Sequence, residues 1–255
     1  RWLLRLGALL AAGDMERHVR ENGERWLHWH NDMSTPPEPQ QRLRAPEPRP
    51  PVAARPRRMS VTQIEQWMAD PYATYARHIL KLRALDPLDA NPGAAERGTI
   101  IHDILDAFVR QYPAALPNDA LRQLIALGQH KFAAVETQPG VFAFWWPRFE
   151  RIAEWIVARE AERSPGVVRR FTEIDGLLEL NDRVRPFRLR ARADRIDLLA
   201  GGGYEVIDYK TGAVPSKKDV MAGLSPQLSL EAAMIRNGAF PDIDPGEVAA
   251  LTYWK

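Results

Sequence analysis

Apolar and polar positions alternate over three stretches late in the chain. "VVRRFTEIDGLLEL" at 167–180, "FRLRARADRIDLL" at 187–199 and "YEVIDYK" at 204–210 read at period two, the mark of half-buried strands. Earlier in the chain the period is helical. Ile64, Trp67 and Met68 follow "SVTQ", whose Ser-x-x-Gln form is a capping box that starts a helix at Ser60. "DPY" restarts a helix, with Asp70 as its cap and Pro71 at its first position. A long helix is expected from about Pro92 to Tyr112, with Ile101, Leu105, Phe108 and Val109 as its apolar stripe and Pro113 as its stop. Helices are also expected near 118–136 and 142–163, and the aromatic group "FAFWW" there reads as core rather than as a base-stacking platform. A last helix, "SPQLSLEAAMIRNG", ends at Gly238, and the strand-like "EVAALTYWK" follows. Helices, then a strand meander, a helix and a strand make a mixed α/β domain, without internal repeats.

Residues 1–33 read as a separate helical segment. Leu3, Leu6 and Leu10 suit an amphipathic helix; the apolar stretch is too short to span a bilayer and lacks a signal-peptide cleavage region. His28 and His30, two apart, do not share a helix face, so packing is expected of them rather than metal binding. Residues 34–58 are dense in proline and arginine without apolar periodicity, an extended linker. The main domain is then 59–255, with a helical part at 59–166 and a sheet core at 167–255. The chain starts without Met and stops on a strand-like run, and reads as a piece of something longer.

Composition narrows the chemistry. A hydrophobic content of 45% supports a real core. There is no cysteine, which excludes disulfides, thiolate zinc sites and cysteine-ligated iron–sulfur clusters and suits a cytoplasmic setting. The formal charge is only +2, but Arg183, Arg185, Arg188, Arg190, Arg192 and Arg195 crowd together just before the last alternating run.

That crowding frames the candidate chemistry. The glycine run 201–203 joins two alternating stretches, so 187–199 and 204–210 form an antiparallel hairpin. A turn centred near Gly201 makes opposing residue numbers sum to about 402. Asp194 then faces Asp208, and Arg192 faces Lys210. Opposed like charges destabilise a strand pair, so the two carboxylates need a cation. Lys210 is one source; a divalent Mg²⁺ or Mn²⁺, suited to hard oxygen ligands, is another. A slip of one residue would move the acids to opposite faces. His102 lies beside the stripe of Ile101 and Leu105, where a satisfied core histidine and a metal ligand are both open readings. Gly98, one turn earlier, leaves room for another element to come close.

"SVTQIEQWMADPYATYARHIL", "AERGTIIHDILDAF", "RADRID", "EVIDYKTG" and "SPQLSLEAAM", in this order, resemble the RecB-like branch of the PD-(D/E)XK nucleases, and within it the C-terminal nuclease domain of alphaproteobacterial AddB-type double-strand-break repair proteins. The resemblance runs from residue 59 to about 254. It implies a restriction-endonuclease-like mixed sheet flanked by helices, with a helical N-terminal insertion, and a segment before the linker akin to the tail of a helicase-like region. It further implies that His102, Asp194 and Asp208, with the Tyr209 carbonyl, hold Mg²⁺, with Mn²⁺ able to substitute. Lys210 would orient the attacking water or stabilise charge, and Gln227 would support the site. The implied partners are DNA, as an unwound strand at a duplex end, and an AddA-type helicase–nuclease subunit; no membrane is involved.

Two positions depart from the family's pattern. Asp70 stands where many AddB-type proteins carry an iron–sulfur cysteine, so no cluster is expected, and Glu231 replaces a tyrosine four residues after the motif glutamine. Arg188, Arg190 and Arg192 share strand parity with Asp194, and they fit equally a groove for the DNA backbone and a solvated sheet face. Lys217 and Lys218 are further candidates for DNA contact. One other account remains open, a nuclease fold that binds DNA or the helicase without cutting; a purely structural set of ion pairs, Asp208–Lys210 and Asp194–Arg195, does not explain why His102, Gln227 and both acids occur together.

Overall fold

The computed structural model describes residues 1–35, 44–85, 93–113, 115–133, 139–181 and 185–255, excluding the side chains of 16–24 and 139–141. Two compact units are present, Arg1–Glu47 and Pro48–Lys255. The first contains α1 (Trp2–Ala12) and α2 (Glu16–Ser34). Helix α1 buries none of its side chains, so Trp2, Leu3, Leu4, Leu6 and Leu9 are all exposed. His28 lies 3.4 Å from Asp32 on an exposed turn of α2. The expected linker falls partly on 36–43, outside the described residues, as do Pro92, 134–136 and Arg183.

The second unit opens with a 3₁₀ turn at Val52–Ala54, followed by β1 (Arg58–Ser60) and α3 (Val61–Ala69). Both halves of the capping box form: Ser60 Oγ accepts from the Gln63 N–H, and Gln63 Oε1 accepts from the Ser60 N–H. Asp70 Oδ1 accepts from the N–H groups of Tyr72 and Ala73 and so starts α4 (Pro71–Thr74), which runs into a π-helical turn at Tyr75–Ile79. Then follow α5 (Ala94–Gln111), α6 (Ala120–Phe132) and α7 (Pro139–Arg163). Strands β2 (Val167–Leu180), β3 (Phe187–Leu199) and β4 (Tyr204–Tyr209) precede α8 (Lys217–Met221), α9 (Gln227–Arg236) and β5 (Val248–Trp254).

Strand β3 organises the five-stranded mixed sheet. One edge pairs with β2, antiparallel, along its length. The other edge is shared between β1, parallel to Arg188–Arg190, and β4, antiparallel to Arg195–Leu198; β5 lies parallel on the far side of β4. The hairpin register is Arg195↔Ile207, Ile196↔Val206, Asp197↔Glu205 and Leu198↔Tyr204. Those pairs sum to the value that brings Asp194 opposite Asp208.

Helices cover both faces. One layer packs α3 and α9 on Ala193, Ile196 and Val206 through Val61, Leu228, Met234 and Ile235. The other packs α5, α6 and α7 on Ile207 and Tyr209 through Ile101, Leu105, Phe108, Leu124, Phe149 and Ile156. Trp145 is buried in this second layer, with Phe142 and Trp146 packed at its border, while Phe144 stays exposed. Gly128 makes the α6–α7 contact possible: a Cβ there would sit 2.1 Å from the buried Phe149 ring. This is the mixed α/β architecture expected from the sequence.

A buried ion network ties α7 to the sheet. Arg195, fully buried, donates to Asp197 at 2.7 and 2.8 Å and also to Glu160, while Arg163 bonds Asp197 at 3.2 Å and also Glu205. The Asp194–Arg195 pair considered above is therefore replaced: Arg195 is taken up by Asp197 and Glu160, while Asp194 meets His102 of α5 and the Tyr209 N–H.

A break in strand periodicity causes that divergence. Leu189, Ala191 and Ala193 enter the α9 layer, and so does Ile196, three residues on rather than two. On β2 the matching residues Phe171 and Ile174 are also three apart. Between them the pairing omits Glu173 and Asp194, and Glu173 has φ 47°, the left-handed region. Both acids are thereby turned out of the regular ladder.

Candidate active site

The exit of β4 supplies the centre of the site. Asp208 is buried on the face of Val206, and its Oδ1 accepts from Lys210 Nζ at 2.9 Å and from Gln227 Nε2 at 2.6 Å. Its Oδ2 lies 2.8 Å from the same ammonium, but the angles do not make a hydrogen bond, so this buried oxygen keeps its lone pairs. Gln227, the first residue of α9, also accepts from Lys210 at 3.3 Å and reaches toward Glu231 Oε1 at 3.4 Å.

The next residue joins a second group. The Tyr209 N–H donates to Asp194 Oδ2 at 2.9 Å, and the Tyr209 carbonyl lies 2.9 Å from His102 Nε2. His102 Nδ1 is 3.4 Å from Asp194 Oδ1 and 3.9 Å from Glu173 Oε1. One candidate ligand atom from each of His102, Glu173 and Asp194 lies within 4.8 Å of the others. Helix α5 delivers His102 because Gly98, a turn earlier, lets the chain leave β4 close by: a Cβ there would be 3.2 Å from Thr211 Oγ1.

The field of the site is strongly negative. Burial and then the Asp194 charge raise the Asp208 pKa, against the pull of Lys210 and Gln227. Burial and Asp194 likewise raise Glu173, despite Arg192 and His102. Burial disfavours a charged His102, but the Asp194 hydrogen bond and charge, the Tyr209 carbonyl and Glu173 outweigh it and leave its pKa raised. Glu231 is pushed up to about 8, first by burial and then by Asp208 and Asp194. Excess carboxylate charge, an orphaned buried oxygen and an imidazole beside a carbonyl together make a donor set suited to a hard divalent cation.

The remaining expected residues are less convergent. Arg188 is closed on Glu179 at 2.7 Å, and Arg192 on Glu173 at 2.6 Å; Arg190 is exposed. Lys217 and Lys218 stand exposed at the start of α8, where neither has a partner among the described residues. Glu173 was not among the residues expected from sequence. Its signal was the three-residue spacing of Phe171 and Ile174 inside an otherwise alternating run.

Comparison with known proteins decides the family. The family model described as the PD-(D/E)XK nuclease superfamily matches residues 58–255. The chain belongs to the PD-(D/E)XK nuclease superfamily. Its mixed sheet between helical layers is the restriction-endonuclease-like fold of this superfamily, whose nucleases use divalent metals. An uncharacterized protein of Rickettsia bellii is 30% identical over 71% of this chain and 22% of its own length; one of Rickettsia conorii is 30% identical over 72% and 23%. The chain thus spans about a fifth of the length of these relatives. The solved structure described as the crystal structure of SSO0001 aligns with TM-score 0.23 and 12% identity, over 62% of this chain and 79% of that one. No helix among the described residues is long and apolar enough to cross a membrane.

Proposed function

We propose that this PD-(D/E)XK nuclease domain hydrolyses DNA phosphodiesters with Mg²⁺, or Mn²⁺ in its place, held by Asp208, Asp194, His102 and the Tyr209 carbonyl, with Glu173 at its border. The observation that supports this most is the meeting of β3, β4 and α5 at one point, where Tyr209 bonds Asp194 through its N–H and faces His102 through its carbonyl. When bound, the cation supplies Lewis acidity toward the scissile phosphate and a water of lowered pKa.

The chain's own groups do the rest. Lys210, clamped by Asp208 and Gln227, holds a fixed positive charge for the anionic phosphate. An ammonium that already donates to two acceptors serves positioning and charge stabilisation better than proton abstraction. Gln227 fixes the Asp208 carboxylate from the start of α9 through Oδ1, so that Oδ2 accepts no hydrogen bond and has only the Lys210 ammonium beside it.

In this reading the domain is RecB-like and works in the cytoplasm inside an AddAB-type helicase–nuclease complex, where it resects one unwound strand at a double-strand break. The order of its five motifs supports that assignment. The test is digestion of end-labelled duplex by the intact complex with ATP and Mg²⁺. Asp208→Ala and Lys210→Ala should each lower cleavage on the order of 10²–10³-fold or more while DNA binding persists. Equal cleavage by wild type and both variants would eliminate the assigned site. Binding without cleavage by the wild type would make the domain a binding module.

A further inference from the structure

We propose that a cleft between α5 and α7, opening beside Lys210, is the track along which a single-stranded DNA substrate is held. The cleft has a volume of about 550 Å³, within the range of ligand pockets. Lys210 lies on its wall as well as in the site, so the two are continuous. This inference rests on the nuclease reading for its substrate class.

The lining carries cations that nothing in the fold uses. Arg97 comes from α5, and Arg148 and Arg151 from α7. Among the described residues, none of these three guanidinium groups has an ion-pair or hydrogen-bond partner, whereas Arg188 and Arg192 on the sheet are closed on carboxylates. Arg148, Arg151 and Trp155 fall at i, i+3 and i+7 and so share one face of α7. Unspent charge along one wall, next to a phosphodiester-cleaving centre, matches a polyanion.

Trp155 supplies the second element of single-strand recognition. It is 42% exposed, and Trp254 holds it edge-on, with ring centroids 5.3 Å apart at 88°. The same indole lines an adjoining cavity of about 360 Å³, so it stands between two successive compartments. A braced, half-exposed indole flanked by free arginines is the arrangement that stacks a base while the backbone is held by charge. Double-stranded DNA hides its base faces in the stack, so the indole selects a single strand.

The test is fluorescence anisotropy of the full chain with a labelled oligothymidylate in EDTA, where cleavage cannot occur. Trp155→Ala should weaken binding roughly 5- to 100-fold, and Trp155→Phe should restore most of it. Arg148→Ala with Arg151→Ala should weaken binding and reduce the slope of log affinity against log salt by about 1.4, for two lost phosphate contacts. Arg122→Ala, whose guanidinium is closed on Asp119 at 2.5 Å on α6, should change nothing. Arg148 and Arg151 are exposed, so their double variant keeps the test valid even if Trp155→Ala loses its cooperative melt. Affinity within two-fold of wild type and an unchanged salt slope in the arginine variant would overturn the track. Hydrolysis of bis(p-nitrophenyl) phosphate by the wild type with Mn²⁺ separates the two ideas: its absence, with the binding effects intact, removes the nuclease reading and leaves the strand site standing.

Discussion

Glu231→Gln should remove one pH-dependent weakness of the fold. Glu231 is 1% exposed, and burial, together with Asp208 and Asp194, lifts its pKa from an ordinary 4.5 to about 8. The folded carboxyl therefore binds its proton more tightly than the unfolded one. Its stabilising contribution is complete below about 4.5 and is lost as pH rises through about 8. Over that window of about 3.5 units, at about 1.4 kcal/mol per unit, wild type loses about 5 kcal/mol relative to a group that cannot ionise. Glutamine keeps the shape and the carbonyl facing Gln227 Nε2. The variant should match wild type near pH 4.5, exceed it by about 3 kcal/mol at pH 7, and hold a gap of about 5 kcal/mol above pH 8. Urea denaturation at a series of pH values measures this, with a chelator present so that no cation offsets the carboxylate field. A gap that stays constant with pH, or that closes as pH rises, refutes the electrostatic reasoning.

Other substitutions probe the scaffold. Gly128→Ala puts a methyl against the fully buried Phe149 ring and should cost about 1–3 kcal/mol of overpacking, read as a lower thermal midpoint. Ser60→Ala removes the side-chain half of the α3 capping box and should cost about 1 kcal/mol in the same measurement, with a conservative Ser60→Thr recovering most of it. Asp194→Asn should weaken Mn²⁺ binding in titration calorimetry, and an unchanged isotherm would count against Asp194 as a ligand.

Much of the architecture was legible because local signals agreed with one another. The alternation of 187–199 and 204–210 across a short glycine loop leaves few registers, and the observed hairpin keeps the expected one as far as Arg195↔Ile207, beyond which Asp194 leaves the ladder. Ser60, Gln63, Asp70 and Pro71 act within a few residues of themselves, so their caps could be read without knowing the fold. Gly98 likewise had a stated use, and a Cβ there would come within 3.2 Å of Thr211 Oγ1.

What stayed hidden depends on departures from regularity. The paired breaks at Glu173 and Asp194 shift the inward positions of both strands, so a strict period-two reading carried the parity of Arg188, Arg190 and Arg192 straight through a kink. It also hid Glu173, which reaches His102 only because its backbone leaves the ladder. The partners of Arg195 come from α7 and from its own strand two residues on. Only packing in three dimensions decides between Asp194 and Asp197 as its acid. The free arginines of α7 were invisible for a similar reason, since their interest lies in what they fail to meet.

The central claim is that two carboxylates, one imidazole and one carbonyl converge on a single divalent ion. An anomalous-scattering map from a crystal soaked in Mn²⁺ tests it most directly. The account predicts one strong peak within about 2.3 Å of oxygens from both Asp194 and Asp208, with His102 and the Tyr209 carbonyl completing its protein ligands. A map without that peak at saturating Mn²⁺, or with the ion bound away from Asp208, contradicts it.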